Sequence, residues 1–146
     1  MNPDNPAVIL FFFPLVWAGV SFVIAQVGGW AELSRYYRST GPFQGEKWYM
    51  RSCRMRLTTR YDCCVTVGAN PDALFLSTVF LFRLGHPPLQ IPWRDISVTN
   101  GKTMFWSWTE FRFQHAPTVW VRFYGRLGGD IRDNAGASWP AAAGAL

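Results

Sequence analysis

Between Ala7 and Val27 the chain reads AVILFFFPLVWAGVSFVIAQV, twenty-one consecutive residues without a charge. As an α-helix rising ~1.5 Å per residue, this run is ~30 Å long, the thickness of a bilayer's hydrocarbon core. A core helix of a soluble protein would need apolar neighbours on every side, and no further long apolar run follows to supply them. A cleaved signal peptide would carry Lys or Arg ahead of the run and a small-residue cleavage site behind it. MNPDNP has neither base, and no A-x-A pattern precedes Gly28 and Gly29. Residues 7–27 therefore read as a retained transmembrane helix behind a short flank, residues 1–6. Pro14 removes one helical hydrogen bond, which membrane helices absorb with a kink or a loosened turn.

All fourteen Lys and Arg residues lie beyond Gly28, whereas the N-terminal flank offers only Asp4 and the terminal amine. Basic residues are retained on the cytoplasmic side, so the expected orientation has the N-terminus outside and the C-terminal domain in the cytoplasm, at a bacterial inner membrane. In the juxtamembrane segment, residues 28–42, Trp30, Leu33 and Tyr37 recur at helical spacing. Trp30, Arg35, Tyr37 and Arg38 suit the headgroup layer. The same residues equally suit a linker helix packed on the domain.

The remaining length allows one soluble domain, expected over residues 43–128, with a flexible tail over residues 129–146. Its twelve Phe and eight Trp in the whole chain require a core that buries rings. Tyr61, Cys63, Val65 and Val67 alternate with Asp62, Cys64 and Thr66, as in a strand with one buried face that would turn Cys63 inward. Asn70–Pro71–Asp72 makes a turn. Ala73 to Arg83 suits a buried strand or a tight pair of strands, and Leu89, Ile91 and Trp93 a short edge strand around Pro92. Asn100–Gly101 is the strongest hairpin signal, joining Asp95–Thr99 to Lys102–Trp108, with further strands at Glu110–His115 and Thr118–Tyr124. About seven short antiparallel strands imply a mainly β domain, a small barrel or sandwich.

The block LFLSTVFLFRLGHPPLQIPWRDISV, together with GGW and Tyr37 ahead of it, resembles small uncharacterised bacterial proteins with one membrane helix. The match covers Gly28 to Tyr37 and Leu74 to Val98. The same block resembles GRAM and pleckstrin-homology-like barrels, a likeness at the level of fold. That resemblance implies a C-terminal helix closing one barrel end, for which only Gly125 to Asn134 is available, with Gly128 and Gly129 inside it.

No pattern points to catalysis or a cofactor. Cys53, Cys63, Cys64, His86 and His115 form no zinc-ligand pair, and three cysteines, two of them adjacent, suit free thiols in a reducing compartment. A nucleophilic cysteine would need a paired His, and His86 sits in a Gly-His-Pro-Pro turn. GRLGGD at Gly125 to Asp130 lacks the lysine and strand-to-helix frame of a phosphate loop. What stands out is charge: Arg51, Arg54, Arg56 and Arg60 lie close together, with Arg54 and Arg56 expected on one face of one strand. Near an anionic leaflet such bases bind lipid headgroups; with Trp48 and Tyr49 they would form a nucleic-acid platform, which tethering to a bilayer disfavours. Trp106, Trp108 and Trp120 offer either core or a partner-binding face. The expected function is thus a non-catalytic, membrane-anchored binding module for anionic lipid or a membrane protein, the alternative being an accessory subunit of a larger membrane complex.

Overall fold

The computed structural model describes residues 5–56 and 59–140. Helix α1 covers Pro6–Gly28. The Asn5 side chain caps it by accepting from the Ala7 amide at 3.1 Å, and Pro6 takes the first turn, where a missing N–H costs nothing. Pro14 lies within it. Its N-terminal half is apolar and exposed on all sides, and the helix is long and apolar enough to cross a membrane. Gly29 ends it in the left-handed conformation that glycine adopts at least cost, at φ 95°, and the chain turns at once into helix α2, Trp30–Tyr37.

Seven antiparallel strands follow: β1 (Glu46–Met55), β2 (Thr59–Ala69), β3 (Ala73–Thr78), β4 (Leu89–Pro92), β5 (Ile96–Lys102), β6 (Ser107–Phe113) and β7 (Ala116–Tyr124). Their order is β4-β3-β2-β1-β7-β6-β5, so β1 lies at the centre and β4 and β5 at the edges. The two edges are joined by a single turn of 3-10 helix, Trp93–Asp95. In a flat sheet they would lie six strand spacings apart, ~29 Å, whereas three residues reach only ~10 Å. The sheet must therefore curl until its edges approach.

Irregularities in the central strands sharpen that curl. The β1–β2 register shifts between Trp48 and Arg51 and again between Arg51 and Cys53, with Met50 at φ 55° and Cys63 at φ 52°. Bulges raise local twist and turn side chains to the other face. Strict alternation across β2 consequently fails: Cys63 is exposed, contrary to the inward placement expected from its spacing, and Cys64 and Val65 are both buried.

The core inside the curl includes Val65, Val67, Leu74, Leu76, Val98, Phe111, Phe113, Val121 and Phe123. Helix α2 contributes Trp30, Leu33 and Tyr37 to it. Trp30 is fully buried, its indole N–H donating to the Pro87 carbonyl at 2.9 Å, and the Tyr37 hydroxyl accepts from the His115 amide at 3.2 Å. Of the two readings open for Trp30 and Tyr37, their burial fits the linker helix packed on the domain, while Arg35 and Arg38 of that group face outward.

Two further expectations give way. Asn100 and Gly101 are not the hairpin turn but lie within β5, paired with Thr109 and Trp108, and the chain reverses at Thr103–Trp106. Gly101 is needed for another reason, since a Cβ there would sit 1.9 Å from the Trp108 ring. A tail loosened from residue 129 is likewise not found, because helix α3 covers Leu127–Ala135 and packs on β2 and β7. Gly128 serves close approach there: a Cβ would meet Thr109 Oγ1 at 2.0 Å. Trp139 packs beside Trp93 and Phe111, extending the domain past α3, and the last six positions of the expected tail lie outside the described residues.

Candidate functional site

Strand β1 pairs with β2 along its length but with β7 only through Arg54–Arg122 and Met55–Val121. Where that seam opens lies a groove of ≈ 930 Å³, lined by Arg51, Ser52 and Arg54 of β1, Thr59 and Arg60 of β2, Trp106, Tyr124, and Arg126, Leu127 and Asp130 at the start of α3. Four arginines and one aspartate thus line the groove. The β1 bulge at Met50 sets where Arg51 emerges, and at the facing irregularity the Ser52 hydroxyl takes a bond from the Cys63 amide at 2.8 Å in place of a ladder partner.

Three of the four arginines singled out from spacing, Arg51, Arg54 and Arg60, come together here. Arg60 is held at its outer edge by Asp62, 2.7 Å away, an exposed pair. Among the described residues Arg51 and Arg126 make no ion pair. Arg56 departs from the expected shared face. It follows the end of β1 at φ 53°, outside the groove, and its guanidinium pairs with Glu32 while donating to the Val27 carbonyl and the Thr118 hydroxyl, each at 3.3 Å. Arg56 therefore fastens the α1–α2 junction to the sheet.

Arg126 belongs to the groove although strand spacing gave no sign of it, and Trp106, offered by the sequence as core or as a partner-binding face, also lines it. Both sit in turns, and only the fold returns them to β1. Of the other tryptophans considered with Trp106, Trp108 and Trp120 are half-buried and flank the Arg122 guanidinium at 4.2 and 5.1 Å. Arg122 in turn bonds the buried Glu110 at 2.9 Å. That stack is a structural unit beside the groove, its Glu110 also pairing with Arg112 at 3.1 Å. At the tip of the β5–β6 turn, Met104, Phe105 and Trp106 are 88, 82 and 66% exposed.

The titratable groups of the interior are arranged for packing. Burial pushes the Cys53 and Cys64 thiols up from their ordinary range. His86 is 1% exposed, against Trp30 and with Nε2 3.0 Å from the Tyr61 hydroxyl; burial lowers its pKa and raises that of Tyr61. Among the described residues no three of His, Cys, Asp and Glu converge in a way that could hold a metal ion.

One end of the groove is fixed relative to α1. Thr59 lines the groove and also abuts Gly28, the last residue of α1, so closely that a Cβ on Gly28 would lie 2.9 Å from it. Fold and site together define a class: a curled seven-stranded antiparallel domain, docked on a long apolar helix, with a basic groove opening beside the helix end. The chain matches no protein-family model and no curated protein.

Proposed function

We propose that the protein is a single-pass, membrane-anchored, non-catalytic binding module whose groove takes the anionic headgroup of a lipid at the cytoplasmic face of a bacterial inner membrane. The observation that carries this reading is the position of the groove, whose wall residue Thr59 rests on the last residue of α1. If α1 crosses the bilayer, Arg54 and Arg60 stand at headgroup height, where each base contributes about 1 kcal/mol of attraction to an anionic leaflet. Docking of Ser21, Ala25 and Gly28 against the domain supports a retained anchor over a removed signal. The confinement of all bases to the domain side supports the orientation. The strand order, with a helix after the last strand, supports kinship with pleckstrin-homology and GRAM barrels.

The test uses the full chain in phosphatidylcholine nanodiscs, titrated with short-chain phosphatidylglycerol below its micelle threshold and followed by tryptophan fluorescence, Trp106 lying in the groove wall. Binding should weaken with salt, and the double variant Arg51→Gln, Arg54→Gln should bind about thirty-fold less tightly, following ~1 kcal/mol per base lost. Equal binding by both proteins, or none by the wild type at low salt, overturns the reading.

The exposed Met104–Phe105–Trp106 tip favours a second reading, an accessory subunit whose apolar tip is covered by a membrane-protein partner. Extraction in mild detergent and native sizing separates the two: a stable large assembly supports the subunit, a small species the independent module.

A further inference from the structure

Helix α1 turns one stripe toward the domain: Trp17, Ala18, Ser21, Ile24, Ala25 and Gly28 are buried or half-buried, while the residues between them are exposed. What covers the upper part of that stripe is the connection from β3 to β4. The Trp17 indole N–H donates to the Leu81 carbonyl at 2.8 Å, and its ring packs 5.1 Å from Phe82. Trp17 lies eleven residues before Gly28, ~16 Å along the helix, about half the depth of a hydrocarbon core. On that same connection Phe80, Leu81 and Leu84 are 75, 55 and 57% exposed.

We infer that the β3–β4 connection is a membrane wedge, its apolar tip immersed among the acyl chains of the leaflet facing the domain. The inference rests on α1 being a transmembrane anchor and goes beyond it, since a tethered domain need not enter the bilayer. Lipid is the fitting occupant because the exposed tip is continuous with the exposed apolar surface of α1, including Phe13, Val16, Val20 and Val23. Part of the connection's backbone meets the condition that hydrocarbon imposes, internal satisfaction of polar groups. Val79 N–H donates to the Cys64 carbonyl, Phe82 to Val79, Arg83 to Phe80 and His86 to Arg83, while Trp17 occupies the Leu81 carbonyl. A run of 3-10 turn is thus a means of closing those bonds locally, where an extended loop would leave them open. Arg83 is the one charge between Ala73 and Ile91, and its exposed side chain is free to extend toward the headgroups.

The experiment uses the full chain with Cys63→Ser, leaving the buried Cys53 and Cys64, reconstituted in liposomes. A polarity-sensitive fluorophore is attached to one introduced cysteine: Leu81→Cys or Leu84→Cys on the connection, Leu15→Cys on α1, or Arg94→Cys on the opposite, exposed turn. Lipids carrying a doxyl group midway along the chain should quench the labels at 81 and 84 several-fold more than aqueous iodide does, as they quench the label at 15, while the label at 94 shows the reverse. Labels at 81 and 84 that respond to iodide like that at 94, with the label at 15 still quenched from lipid, overturn the wedge and leave the anchor standing; this is also the result expected if the tip awaits a protein partner. A label at 15 that iodide reaches overturns the anchor, and the wedge with it.

Discussion

Replacing Trp30 discriminates between a headgroup anchor and a piece of the core. Its side chain is fully buried, lies 5.8 Å from the Tyr61 ring and 5.3 Å from the His86 ring, and donates to the Pro87 carbonyl at 2.9 Å. Trp30→Ala removes the largest ring of α2 from a packed site, at a cost of about 3–5 kcal/mol. Trp30→Phe preserves most of the volume and loses the hydrogen bond, at a cost of about 1–2 kcal/mol. For a domain of this size those losses correspond to melting temperatures lower by about 15–25 °C and about 5–10 °C respectively. The measurement is thermal unfolding of the full chain in mild detergent, followed by near-ultraviolet circular dichroism. A Trp30→Ala protein that melts within about 3 °C of the wild type would refute the reasoning, because that small a change is what loss of an exposed interfacial ring produces.

Two further outcomes follow from the interior groups. A neutral His86, with Nδ1–H directed to the Leu84 carbonyl at 3.4 Å and the Tyr61 hydroxyl directed to Nε2, has its pKa lowered by burial from an ordinary value of 6.5, so the unfolded chain binds the proton more readily. Stability is full above pH 6.5 and falls as pH drops through the folded value, and His86→Gln should flatten that limb of a pH–stability curve while lowering its plateau. In native protein, maleimide should add once, at Cys63, and unfolding should expose Cys53 and Cys64 to two further additions counted by mass spectrometry; three native additions would contradict the buried placements.

Periodicity revealed the elements that obey a single rule. The uncharged run from Ala7 to Val27 became α1, and alternation in the second half of β2 marked its buried Val65 and Val67. Where a second constraint overrode local preference, the sequence misled. Asn100–Gly101 has the chemistry of a turn, yet Gly101 is set beneath Trp108, a packing requirement that no local pattern encodes. Gly128 and Gly129 look like helix breakers, yet the absence of a side chain at Gly128 is what lets α3 lie against Thr109. Cys63 was misplaced because a bulge shifts the period by one, and Arg56 because the strand ends one residue before it. The groove was half legible. Arg51, Arg54 and Arg60 cluster in sequence as well as in space, whereas Arg126 joins them only because β7 returns to β1.

The way α1 joins the domain decides how such a groove can work. A flexible tether raises a ligand's effective concentration without selecting an orientation, and its effect falls as the linker lengthens. No such linker separates α1 from the domain: Gly29 passes directly into α2, α2 is core, and Arg56 ties Glu32 and the Val27 carbonyl to the sheet. On the other side of the junction Trp17 is bonded to Leu81. Two attachments, separated by ten residues of helix, fix both the height and the tilt of the domain relative to the α1 axis. The groove is consequently presented at one height, that of Thr59 against Gly28, and under the proposed lipid-binding role a headgroup would be selected by where its charge sits along the axis as well as by its charge. Breaking the Arg56–Glu32 pair would loosen that selection without removing a single base from the groove.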